Sequence, residues 1–306
     1  MSKLSNEKIG ELMVGGETIL YALFPILIAH TTKLMPPILF AALSTLAAAV
    51  ALFVYMLFKK ETKQIKNWKV IKYAIGVTIF IIIIPAILIF SGSSKTSGIN
   101  TAILLQSEIL FTFIICGIFT NESITLKKIL GAILMVVGAL FILFNLNGTL
   151  NVNSGDLLII AGTLFYPIGN IIAKKALTFS TPSVILFVRS ILGGVVLLLI
   201  SIQFESWNLP IQQIISDNFL FILANGILIY GLSKILWYES IRRIEISKAI
   251  LISIGAYPAI SLLFAFLFLH ETPALFQIVG LIIILFGIYQ IIEKREKAFS
   301  QISEGI

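Results

Sequence analysis

Residues 122–138 read ESITLKKILGAILMVVG, and residues 271–287 read ETPALFQIVGLIIILFG. Each opens on a glutamate, Glu122 or Glu271, and carries two glycines, Gly131 and Gly138 or Gly280 and Gly287, so one E-x8-G-x6-G spacing occurs twice at an offset of 149. Glycines seven apart lie two helical turns apart and share one face of an apolar helix. Small residues on one face let two helices in lipid approach closely.

Other matches extend outward from this pair. Gly10-Glu11-Leu12 recurs as Gly155-Asp156-Leu157, and Thr18 and Tyr21 recur as Thr163 and Tyr166, all at offset 145. Ala102-Ile103-Leu104 recurs as Ala249-Ile250-Leu251, and Phe90-Ser91 matches Trp237-Tyr238, at offset 147. An offset that drifts slowly along the whole chain indicates duplication with small insertions. It divides the sequence into a first unit, 1–147, and a second, 151–297.

Composition decides where these units reside. Of 306 residues, 58% are hydrophobic and 12% charged, against about 45–50% and about 25% in ordinary soluble domains. A water-exposed globule cannot hide that much apolar surface. The single cysteine, Cys116, excludes a disulfide framework and a cysteine-based zinc site.

Stretches long enough for a spanning helix, roughly 20 residues, lie at 10–30, 34–58, 73–94, 99–120, 129–155, 156–176, 183–204, 219–239, 249–270 and 272–292. The reading is therefore an all-α integral membrane protein with ten transmembrane helices. The first segment is expected to stay as a helix, because Glu17 interrupts it and no small-x-small cleavage site follows. Ten crossings put both termini on one side. On that side fall 18 of the 22 Lys and Arg residues, with only Lys33 and Lys95 opposite and Arg189 and Lys234 inside spans. The positive-inside rule then places both termini in the cytoplasm, in a cell (inner or plasma) membrane. This distribution also accounts for the net charge of +7 without nucleic acid. Five helices per unit is an odd number, so the two copies must cross in opposite senses. Inverted repeats of this kind are a recurrent architecture of secondary transporters.

The second half contains Trp237-Tyr-Glu-Ser-Ile-Arg-Arg-Ile-Glu-Ile-Ser-Lys-Ala-Ile-Leu251, then Pro258, His270-Glu271 and Gly280. In these residues the chain resembles the EamA family of the drug/metabolite transporter superfamily, with the likeness running nearly end to end. The first half departs from the family pattern at Glu108-Ile109 and Asn121. The resemblance implies a ten-helix carrier that exports or exchanges a small organic metabolite, amino acid-like, drug-like or related, through a cavity lined by both halves.

Charges within spans are costly, about 2.5–3.5 kcal/mol at the bilayer centre. Glu108 lies roughly 15 Å from either end of its span. It is too short to reach water, so it must face a wet cavity, pair with a cation or carry a proton. It is the leading candidate for proton coupling or for holding a cationic group. Glu17, about 10 Å deep, is a cavity candidate too. Arg189 and Lys234 are long enough to snorkel, and otherwise bind solute or pair with Glu108. Tyr21, Tyr166, Gln106, Asn170, Asn225, Tyr230, Trp237, Tyr238 and Tyr257 are polar or aromatic positions inside spans that could line a path for an amphipathic or aromatic solute. Glu239, Glu245, Glu122 and Glu271 fall at membrane boundaries and read as caps or anchors; His30 and His270 sit at outer ends. Pro25, Pro85, Pro167 and Pro258 lie within spans, where each removes a backbone hydrogen bond and permits a kink. The paired glycines read as packing within the bundle, with a homodimer contact as the alternative.

Gly92-Ser-Ser-Lys-Thr-Ser-Gly98 lacks the order of a phosphate loop, and His270-Glu271 lacks the second histidine of a zinc protease. Asn147-Gly148-Thr149 forms a glycosylation sequon on an outward loop. No catalytic residue, cofactor or metal site is expected. The leading reading is a secondary transporter working by alternating access, with the solute, protons and the lipid bilayer as its partners. The alternative is a lipid flippase or an integral-membrane enzyme acting on a lipid-linked substrate.

Overall fold

The structure, a computed structural model, describes residues 5–119, 126–143, 153–207, 210–244 and 246–303. Asn121, Glu122, the Asn147–Thr149 sequon and Glu245 lie outside the described residues, as does the side chain of Cys116.

Among the described residues every regular element is a helix. Apart from short helices at Thr62–Lys66 and Ile211–Asp217, these are in chain order α1 (Asn6–Thr31), α2 (Pro37–Lys59) and α3 (Trp68–Ser93). Next comes α4, which runs as Gly98–Leu104 and then Ser107–Phe119, followed by α5 (Leu126–Leu143). The chain continues with α6 (Ser154–Ala176), α7 (Pro182–Phe204) and α8 (Phe219–Ile241), and ends with α9 (Ile246–Leu269) and α10 (Leu275–Ser303). Six of these, α1, α2, α3, α6, α7 and α8, are long and apolar enough to cross a membrane, with shorter apolar stretches at Ile129–Gly138, Ala256–Leu269 and Leu275–Gln290. Large apolar side chains such as Phe58, Phe204 and Leu220 point outward. Water does not favour a surface of this kind, whereas lipid does. The chain is an all-helical, multi-pass membrane protein.

Two helix pairs rest on reciprocal backbone approach, glycine against glycine. A Cβ on Gly138 of α5 would lie 2.7 Å from the Gly280 carbonyl oxygen of α10, and one on Gly287 would lie 2.6 Å from that of Gly131. The same reciprocity joins α3 and α6, where a Cβ on Gly92 or on Gly155 would stand 2.6 or 2.5 Å from the other's carbonyl oxygen. Only glycine permits such contact.

The α2 and α7 pair is tied at both ends by a glutamate that follows one helix and caps the other. Glu205 accepts from the amides of Ile38 (2.7 Å) and Leu39 (2.8 Å) at the start of α2. Glu61 accepts from the hydroxyls of Thr181 (3.1 Å) and Ser183 at the start of α7. Both helices begin with proline. Each N-terminal turn therefore receives the negative partner that its dipole favours, held through amides in α2 and through hydroxyls in α7.

At one end of the bundle, polar side chains join the connection between α3 and α4 to α6 and α10. Thr96 donates to Asp156 (2.6 Å), Asn100 donates to Thr96 (3.2 Å), and Gln277 donates to Asn100 (2.7 Å). Glu271, read from sequence as a boundary cap, accepts from the amides of Gly98 (3.1 Å) and Ile99 (2.9 Å) and so caps α4 across a tertiary contact.

Several helices are irregular near mid-length. Pro25 and Pro167 cannot donate to the carbonyls four residues back, and the helix tightens just before each, at Ala22-Leu23 and Leu164-Phe165. In α4 the tightening falls on a polar stretch: Gln106 donates to Ile103, Glu108 to Leu105 and Ile109 to Gln106, all three residues back. The helices α3 and α8 widen into π-helical turns at Thr78–Ile83 and Ala224–Ser233, positions related by the offset of 147 that aligns Phe90 with Trp237. Pro258 lies inside an unbroken α9.

Candidate functional site

The irregular turns surround a cavity of about 120 Å3, room for several waters or one small solute. Its walls come from α1, α3 and α4 of the first half and from α6, α7, α8 and α9 of the second. Broken or widened helices are tolerated at membrane depth where the freed backbone lines a cavity or packs against protein.

Of the residues singled out in the sequence, Glu17, Tyr21, Glu108, Tyr166, Asn170, Arg189, Tyr230, Lys234, Trp237 and Tyr238 all reach this cavity. Tyr257 stands one layer behind, its ring 5.6 Å from that of Tyr21. Gln106 is buried at the break in α4 and is not among the lining residues. Asn225 is also buried away from the cavity, in the α8 π-turn. Ile81 and Ser253 line the wall and were not singled out. An isoleucine and a serine cost nothing inside a span, so neither leaves a mark in the sequence.

The ionisable groups are partnered in a definite way. Lys234 Nζ lies 3.1 Å from Glu17 Oε1 and 3.4 Å from the centre of the Tyr21 ring, so the lysine is held by a carboxylate and an aromatic face together. Ser233 adds a contact to the same Glu17 oxygen at 3.4 Å. Sequence offered Glu108 as the partner of a buried cation; the structure gives Lys234 to Glu17. Glu108 instead accepts from the Asn170 amide at 3.2 Å. It also sits in the first turn of the second half of α4 rather than at the middle of one continuous helix, where the helix dipole favours a carboxylate. Arg189 does not snorkel: it is 1% exposed, its Nη1 donates to the Tyr238 hydroxyl at 3.3 Å, and its guanidinium lies 5.7 Å from the centre of the same ring. Tyr21 and Tyr166, equivalent by the 145 offset, both face the cavity, one from each half.

The site thus offers carboxylates, cations and aromatic faces inside a small hollow of mixed polarity among helices that lipid surrounds. That arrangement suits reversible binding of a small amphipathic molecule.

Known proteins resemble the chain in fold or in sequence. A solved crystal structure superposes with a TM-score of 0.67, over 93% of this chain and 96% of that one, at 17% sequence identity, a likeness of fold. A Bacillus subtilis protein named Uncharacterized transporter YoaV is 27% identical over 259 residues, 83% of this chain and 87% of its own length. YyaM of the same organism, also named an uncharacterized transporter, is 24% identical over 248 residues, 79% of this chain and 80% of its own. An uncharacterized transporter of Methanothermobacter thermautotrophicus is 28% identical over 216 residues, 68% of this chain and 60% of its own. The family model of EamA-like transporters matches twice, over residues 8–144 and again over 153–292, so that each half of the sequence carries one copy of the pattern. The protein belongs to the EamA-like transporter family.

Proposed function

We propose that the chain is a secondary transporter that moves a small organic solute across the cytoplasmic membrane by alternating access, with export as its physiological direction. In this reading ten helices cross the bilayer as two inverted five-helix halves, 1–147 and 151–297, with both termini in the cytoplasm. The observation that carries it is the cavity: helices of both halves bring Glu17, Glu108, Arg189 and Lys234 to one hollow. Two nearly equivalent halves around a fixed site can rock between two packings, each opening the site to one side. The mid-helix breaks at Ala22-Leu23 and Leu164-Phe165 and the π-turns of α3 and α8 supply places for such bending. The energy comes from the solute's own gradient or from protons passing through Glu108.

Metabolite profiling of cells with and without the protein, followed by flux of the enriched solutes in proteoliposomes, tests this directly. Solute must cross only when protein is present, and a solute load on the far side must accelerate it. Proton coupling is tested with Glu108→Gln under an imposed pH difference. The variant is expected to exchange solute but not to concentrate it. If it still accumulates solute against a gradient, Glu108 is not the coupling site.

A further inference from the structure

Among the described residues, Arg189 forms no ion pair, although it is 1% exposed and lines the cavity. Its Nε has no hydrogen-bond partner, and its Nη1 has only the neutral hydroxyl of Tyr238. A guanidinium keeps its charge under all accessible conditions. Burying such a charge without an anion is strongly unfavourable, more so in a bundle surrounded by lipid. The other charged side chains lining the cavity each have a partner: Lys234 lies against Glu17 Oε1, although Glu17 Oε2 has none, and Glu108 accepts from the neutral amide of Asn170. Among the described residues, the arginine is the cation of the cavity wall that has no acidic partner within ion-pair distance.

The duplication argues against a structural duty common to both halves. Pro37 and Pro182 open α2 and α7 at an offset of 145, and the same offset sets Ser44 opposite Arg189. The first half carries a serine at that position, so a cation there is not a feature that the two halves share.

We infer that Arg189 is the docking point for a carboxylate carried by the solute, so that the transported molecules are organic anions or zwitterions rather than simple cations or neutral compounds. This rests on the reading of the cavity as the solute's path. The planar fork of the guanidinium matches the two oxygens of a carboxylate and binds it through paired hydrogen bonds. The Tyr238 ring, already beside the guanidinium, leaves an aromatic face next to the bound group.

The test uses the full-length protein in detergent at constant ionic strength, with its thermal midpoint followed against matched probes: propionate and phenylacetate, and propylamine and phenethylamine. A ligand that binds the folded state raises the midpoint in proportion to its occupancy. The carboxylates are expected to raise it saturably and the amines to do so far less. In Arg189→Gln the carboxylate affinity is expected to fall at least tenfold, while Arg189→Lys, which keeps the charge but loses the fork, retains part of it. Amines that stabilise the wild type as well as the carboxylates do, carboxylates that have no effect on it, or a carboxylate response that survives in Arg189→Gln would each overturn the inference. The wild-type comparison stands even if a variant does not fold. Flux of solutes that lack an anionic group would overturn this assignment while leaving transport intact; carboxylate binding without flux would do the reverse.

Discussion

Glu17 and Lys234 stand 3.1 Å apart with side-chain exposures of 3% and 18%, in a setting where neither charge is tolerated alone. Removing one partner of a buried pair leaves an uncompensated charge, typically at a cost of about 3–5 kcal/mol, whereas removing both together is often close to neutral. Glu17→Gln and Lys234→Met are therefore each expected to lower the thermal midpoint in detergent substantially. The double variant should recover most of the loss. Additive losses in the double variant would mean that the two residues act independently and that the pair is not a unit. The sequence pointed to both residues because a charge inside a span is costly wherever it lies. It could not say which cation meets which acid, because that depends on how two helices are rotated about their own axes.

At the scale of elements, close backbone approach and end capping carry the packing. A Cβ on Gly287 would reach 2.6 Å from the Gly131 carbonyl oxygen, and one on Gly15 would meet nothing within 4 Å. Gly287→Val is accordingly expected to destabilise the protein by about 1–3 kcal/mol, the usual effect of forcing atoms into a filled interface. Gly15→Ala should leave the midpoint unchanged or raise it slightly. Similar losses for the two would remove the packing argument for the α5 and α10 pair. Glu205→Gln weakens the carboxylate that serves two amides of α2, and a loss of about 1–2 kcal/mol is expected, in line with other helix caps. A midpoint within error of wild type would show that water replaces it. The glycine pair was legible because its spacing repeats in both halves. The roles of Glu61 and Glu205 were not, since each caps a helix more than a hundred positions away. The π-turns and the break at Gln106 were equally hidden. Pro25 and Pro167 announce their breaks through a missing N–H, but no residue type announces a π-turn.

At the scale of the molecule, long apolar runs between charges revealed the helical class, and the family model matches residues 8–144 and again residues 153–292. Most of the cavity was legible for one reason: polar and charged residues in spans must converge on something other than lipid. Gln106 and Tyr257 obey that rule without touching the hollow, because a buried polar side chain can also be accommodated within the packing. In the proposed function, what ties the halves to transport is access from both sides in turn. The measurement that tests this most directly places a cysteine at Ser253, which lines the cavity, in a Cys116→Ser background, and follows its modification by a membrane-impermeant thiol reagent applied to either face of sealed vesicles. Alternating access predicts labelling from both faces, with solute slowing the reaction from each. Labelling from one face only, or from neither, would contradict it.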